Sequence, residues 1–155
     1  MRIYKHRINN FNDLDRLQEN KHFKEKGLEC DIRYHLGEEY FNHDIENNLE
    51  KCLFLKDIKK NFKDLHLIMN FKETGKEIQT FKKLSKLFKS ILFLDIPFPE
   101  YVKLKKHGLS KYIAWRISEY EKPSIPQIKE FNGEWIWLDS FHSYWFSEID
   151  LINFK

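Results

Sequence analysis

The chain has 155 residues, 41% of them hydrophobic and 33% charged, a balance that excludes a disordered polar chain and suits one domain with a real core. Its 27 Lys and Arg are offset by 24 Asp and Glu, and the resulting formal charge of +3 is too small to argue for a nucleic-acid partner. There is no signal-peptide core, no apolar run near the roughly 20 residues of a spanning helix, and only Cys30 and Cys52 for a disulfide or zinc framework, so the expectation is a cytoplasmic protein without a membrane span.

In chain order, residues 2–6 read as a short strand and residues 12–20 as a helix with Leu14 and Leu17 inward. Residues 27–34 form a second strand, with 37–42 as its hairpin partner. The spacing predicts a helix over 49–62, a strand over 65–72, and a helix over 76–89 with Ile78, Phe81, Leu84, Leu87 and Phe88 at helical intervals. Residues 90–96 read as strand. Pro97 and Pro99 open a helix that runs to His107 and stops at Gly108. A strand follows over 111–118, then a short helix from Pro126 to Gly133, a strand over 134–138 and a helical tail from Ser147. Strands alternating with helices imply parallel pairing with right-handed crossovers. About six such units fit, whereas a complete eight-unit barrel takes roughly 250 residues. The expected fold is a single α/β, TIM-barrel-like domain over 1–155, parallel-stranded and reduced or incomplete.

Side chains of the strand over 27–34 alternate between faces. Leu28, Cys30 and Ile32 point towards covering helices, while Glu29, Asp31 and Arg33 point the other way. Two carboxylates on an inner face are costly to bury without a cation between them, and a hard divalent ion suits such oxygens. Taken alone, an outward polar strand face with ordinary ion pairs is the commoner outcome. His6 and Arg7 end the first strand, and His43 and Asp44 end the hairpin, so these side chains gather with the acids. Imidazoles titrate near neutrality and serve as general acid and base, and the guanidinium fork suits a phosphate oxygen.

The order His6-Arg7 after a strand, then Glu29-x-Asp31, then His43-Asp44 resembles the pattern of glycerophosphodiester phosphodiesterases, relatives of phosphatidylinositol-specific phospholipase C. The match covers roughly the first third of the chain. Later positions keep the family layout: Asn70-x-Lys72, Asp95, Arg116 and Asp139. The resemblance implies that His6 and His43 are the acid/base pair and that Glu29 and Asp31 hold Mg²⁺ or Ca²⁺. Asn70 stands where the family places a further metal-ligating Glu. Arg7 and Lys72 would bind the phosphodiester. Ile8 replaces the family's usual Gly, and Asn9-Asn10-Phe11 replaces its Glu-Asn-Thr segment. These traits are similar to a reduced branch of the superfamily that is often associated with bacterial surface-polysaccharide genes.

Arg116 reads either as a further phosphate contact or as an ion pair with Asp95 or Asp139. Trp137, on one face with Trp135 and Asp139, reads either as a pocket wall against a sugar or glycerol group or as core. The aromatic stretch over 141–154 is a candidate cap or homodimer contact. The functional expectation is a metal-dependent phosphodiester hydrolase acting on a small glycerol- or sugar-linked phosphodiester. The alternative is a non-catalytic phosphate- or sugar-binding or scaffold protein of bacterial surface-polysaccharide metabolism.

Overall fold

The computed structural model describes residues 4–10, 12–13, 27–58 and 62–147. Their contacts group into two compact units, Met1–Phe93 and Leu94–Lys155.

The first unit is built on a six-stranded sheet. Its strands are β1 (Tyr4–Lys5), β2 (Gly27–His35), β3 (Glu38–Phe41), β4 (Leu53–Phe54), β5 (Phe62–Phe71) and β6 (Phe88–Leu94). They lie in the order β4-β3-β2-β5-β6, with β1 also paired to β2. β2 is the central strand. β5 runs parallel along one edge of it, with Leu28 opposite Leu67 and Asp31 opposite Asn70. β1, parallel, and β3, antiparallel, share the other edge, β1 at Gly27 and Leu28 and β3 from Ile32 to His35. Contacts between β5 and β6 advance together along both strands, from Phe62 with Phe88 to Phe71 with Phe93, as in a parallel pair. The helix α1 (Glu77–Leu84) covers the face carrying Leu28, Cys30, Ile32, Leu67, Met69 and Phe71, all buried, and Phe81 meets Phe93 at 5.5 Å. Each fully buried Leu, Ile or Phe there is worth about 1.5–3 kcal/mol of apolar transfer. The expected alternation of β2 is therefore correct, and it leaves Glu29, Asp31 and Arg33 on the face away from α1.

The barrel expectation is corrected. The sheet is mixed, and among the described residues its strands do not close on themselves. The cause is local. Leu36 and Gly37 both have positive φ, 48° and 89°, as the central pair of a type I′ turn requires, and a two-residue turn obliges β3 to return antiparallel. Among the described residues the helix expected over 49–62 is also absent. Two single 3₁₀ turns, Leu49–Lys51 and Leu55–Asp57, flank β4, which pairs antiparallel with β3 through Phe41 and Leu53. Leu53 and Leu55 are buried with Phe54 between them only half-buried, a period of two that serves a strand edge and not a helix face. The crossover helix that a parallel barrel needs at this point is thus replaced by an antiparallel edge.

The second unit has its own two-stranded parallel sheet, β7 (Ala114–Ile117) with β8 (Trp135–Leu138), joined through α3 (Ile125–Glu130) and preceded by α2 (Phe98–Lys106). α2 starts and stops as expected: Pro97 is its N-cap, Pro99 lies in its first turn, and Gly108 takes φ 70° just beyond its end. The Ser124 hydroxyl caps α3 by accepting from the Gln127 N–H at 3.3 Å. Phe98, Tyr101, Trp115 and Phe131 form an aromatic cluster, with Tyr101 and Trp115 centroids 4.4 Å apart. Gly133 is required by close approach, since a Cβ there would sit 2.6 Å from both the Trp115 indole nitrogen and Ile128.

Other boundaries shift modestly. The helix expected over 76–89 ends at Leu84, and Phe88 and Lys89 belong to β6. The start of the strand expected over 111–118 is a 3₁₀ turn, Ser110–Tyr112. Asn12 and Asp13 are helical; the rest of the helix expected over 12–20, with Leu14 and Leu17, lies outside the described residues, as does the tail from 148. Among the described residues no helix is long and apolar enough to cross a membrane.

Candidate functional site

The face of β2 and β5 away from α1 carries the first cluster. Glu29 and Asp31 are each 1% exposed, and Asn70, opposite Asp31 in register, is 7% exposed. The chain leaving β1 wraps over them. Arg7 takes a left-handed φ of 57°, which aims its backbone N–H at Glu29 Oε2, 2.9 Å away. His6 Nε2 lies 3.3 Å from the same oxygen, with the imidazole side chain 58% exposed. Ile8 N–H then donates to the Glu29 carbonyl, and buried Ile8 seals the turn. Asn9 clamps Asp31 from both sides: its amide donates to Oδ2 at 2.9 Å, and its oxygen accepts the Asp31 N–H at 3.0 Å. Lys72 Nζ stands 3.0 Å from Asp31 Oδ1.

Three buried oxygens of this cluster accept no hydrogen bond: Glu29 Oε1, Asp31 Oδ1 and Asn70 Oδ1. Lys72 is close enough to Asp31 Oδ1 to form an ion pair, but its geometry is not that of an aligned hydrogen bond. Buried carboxylate oxygens left without donors cost free energy that something else must offset. Glu29, Asp31 and Asn70 are the residues that could hold a divalent cation, whose ligands are hard oxygens. Among the described residues no group of three His, Cys, Asp and Glu side chains is placed to hold a metal ion.

His43 is tied to the same neighbourhood through backbone. Asn42 N–H donates to the Asp31 carbonyl at 3.1 Å, and Arg33, on the Glu29 face, grips the His43 carbonyl with Nε at 3.1 Å and Nη2 at 2.8 Å. Glu73 holds the third guanidinium nitrogen at 3.1 Å. The His43 imidazole is directed at Asp44, Nδ1 to Oδ1 2.9 Å, and this bond holds the Asp44 carboxyl below its ordinary range. The Asp44 contact fixes one ring nitrogen and leaves the other for chemistry. The Arg7 guanidinium makes no hydrogen bond or ion pair with a described residue.

The second unit contains the other predicted residues. Arg116 bonds Asp95 through Nη2, lies 3.4 Å from Asp139 through Nη1, and has Glu121 at 3.7 Å from Nε. Asp95 reaches it from a left-handed φ of 60°. Trp137, half-buried on β8, is opposite Arg116 in register. A cleft of about 670 Å³ opens here, lined by Asp95, Phe98, Trp115, Arg116 and Lys122 among others.

Asn9 and Arg33 are the residues whose roles sequence reasoning missed. Asn9 is legible only as an amide two residues beyond Arg7, where the resembled family has a different segment. Arg33 was assigned to the correct face, but its grip on the His43 loop depends on the antiparallel return of β3. No protein-family model, curated protein or solved structure matches this chain.

Proposed function

We propose that the face of β2 and β5 away from α1 hydrolyses a glycerol- or sugar-linked phosphodiester, as the resemblance to glycerophosphodiester phosphodiesterases implies. The observation that carries the reading is the set of three donor-less buried oxygens, on Glu29, Asp31 and Asn70, beside the His6 imidazole. Those oxygens would hold a divalent cation, Mg²⁺ or Ca²⁺, which when bound supplies neutralising charge for phosphoryl oxygens. Arg7 and Lys72 orient the phosphodiester by pairing its oxygens. One of His6 and His43 takes the proton of the attacking substrate hydroxyl, and the other gives a proton to the leaving alkoxide. The product is a cyclic phosphate and a free alcohol, and water opens the ring with the roles reversed. Glu29 holds His6 in place, and Asp44 holds His43.

The test is hydrolysis of bis(p-nitrophenyl) phosphate and of glycerophosphodiesters with Mg²⁺ or Ca²⁺, then with EDTA. Turnover that EDTA abolishes is expected. His6→Ala should lower kcat by about 10²–10⁴ while leaving the unfolding midpoint unchanged, since the ring is largely exposed. A folded protein without hydrolysis across that panel overturns the reading.

Asn70 in place of a carboxylate, together with the Lys72 ion pair on Asp31, favours a second reading: a phosphate- or sugar-binding protein without turnover. Calorimetric binding of a phosphoester that is never cleaved would select it. A cytoplasmic location goes with both readings. Exposed Phe141 and Tyr144 support self-association through the aromatic stretch, which sedimentation of the full chain tests.

A further inference from the structure

We infer that Lys72 is a tethered counter-ion that competes with a divalent cation for Asp31, so that cation entry and Lys72 release are one event. The inference rests on the reading of this face as a phosphodiester site and adds a control to it.

The geometry distinguishes the two Asp31 oxygens. Oδ2 is taken by the Asn9 amide, and the reciprocal bond from Asp31 N–H to Asn9 Oδ1 pins the carboxylate plane. Oδ1 is thereby fixed, with Asn70 opposite in register and Lys72 two residues further along the same strand face. A divalent ion drawn to the three donor-less oxygens must bond Oδ1 at about 2.0–2.6 Å. The Lys72 ammonium already stands 3.0 Å from that oxygen. Two cations on one buried oxygen repel strongly where water does not screen them. Their occupancies therefore exclude each other.

Charge balance gives the same answer. Glu29 and Asp31 carry two negative charges on residues that are almost wholly buried. Lys72 offsets one of them and leaves Glu29 Oε1 and Asn70 Oδ1 without donors. A divalent ion carries the charge to offset both. Lys72 is the partner able to leave, because its ammonium rides on a flexible four-carbon stem and the side chain is 18% exposed. Once displaced, it is free to meet an anionic phosphate oxygen at the same mouth. Lys72 is thus a positioning and gating residue whose charge holds the acids apart from water until the cation replaces it.

The experiment is calorimetric titration of Ca²⁺ and Mg²⁺ into the full chain, as wild type, Lys72→Met and Asp31→Asn. Lys72→Met keeps the stem and removes the charge. It should tighten cation binding at least tenfold over wild type, and Asp31→Asn should abolish binding. A wild type that binds while Lys72→Met binds equally or more weakly overturns the inference and leaves the phosphodiester reading standing. Absence of binding in both wild type and Lys72→Met overturns the two together. Should Lys72→Met fail to fold, acetylation of Lys72 in the wild type, followed by mass spectrometry, decides. The rate should rise severalfold at saturating Ca²⁺, and an unchanged rate overturns the inference.

Discussion

Two charge clusters in this molecule, one buried and one partly exposed, solve the same problem in different ways. In the second unit, Arg116 faces Asp95, Asp139 and Glu121, so that protein carboxylates surround a protein cation. In the first unit, Glu29 and Asp31 share one lysine, and three oxygens find no donor. The second cluster leaves only Arg116 Nε without a hydrogen-bond partner, its carboxylates lie partly in solvent, and it reads as structure. The first buries its carboxylates almost wholly and leaves acceptor oxygens without donors, and it reads as a place kept for a ligand. Both are introduced by a non-glycine residue with a left-handed φ after a strand, Arg7 in one case and Asp95 in the other. Backbone strain of this kind costs about 1–3 kcal/mol, and here it directs an N–H to Glu29 and a carboxylate to Arg116.

The comparison breaks or holds on stability. Arg116→Met leaves Asp95 and Asp139 without their shared partner, and it should cost about 2 kcal/mol, below the loss for a fully buried pair because the side chain is partly exposed. All four tryptophans lie in the second unit, so tryptophan fluorescence in urea reads that unit directly. Glu29→Gln should behave oppositely. It removes a buried charge whose Oε1 lacks a donor and keeps an oxygen for the Arg7 N–H. In the absence of divalent ions the expected result is no loss, or a gain of up to about 1 kcal/mol, with cation binding lost. A large destabilisation from Glu29→Gln, measured by circular dichroism, would make the first cluster as structural as the second and remove its claim to be a site.

The two faces of β2 were more legible in the sequence than the fold. The period of two along Gly27–His35 separates Leu28, Cys30 and Ile32 from Glu29 and Asp31, and that separation survives whatever the sheet does beyond it. Pairing direction does not follow from periodicity. It was decided by the two left-handed residues Leu36 and Gly37 and by Leu53 joining Phe41 at a sheet edge, where helical spacing over 49–62 pointed to a crossover. Arg116 was legible as an ion pair, since Asp95 and Asp139 were the partners an inward arginine would need. The Asn9 clamp was not, because a loop amide acquires meaning only once Asp31 is known to lie beside it.

The smallest expected effect concerns Glu119, which sharpens the contrast with Glu29. Partial burial works to raise the Glu119 pKa, but N–H donors from its own backbone and from Phe141, His142 and Ser143 outweigh it and bring the carboxyl down from 4.5 to about 2. The bonds from Phe141 and His142 measure 3.1 and 3.2 Å. A depressed carboxyl pKa stabilises the fold fully above the ordinary value, and the contribution fades as pH falls through the folded one. The segment at 141–143 should therefore stay anchored at pH 5 and loosen progressively from about pH 4.5 to pH 2. Amide proton shifts of Phe141 and His142 should titrate with a midpoint near 2, and in Glu119→Gln that titration should vanish with the segment loosened at every pH. A midpoint near 4.5 would mean that the donors do not hold the carboxylate. Glu119 would then resemble Glu29, an acid without enough partners, and the contrast between a carboxylate held by its own donors and one left short of them would weaken.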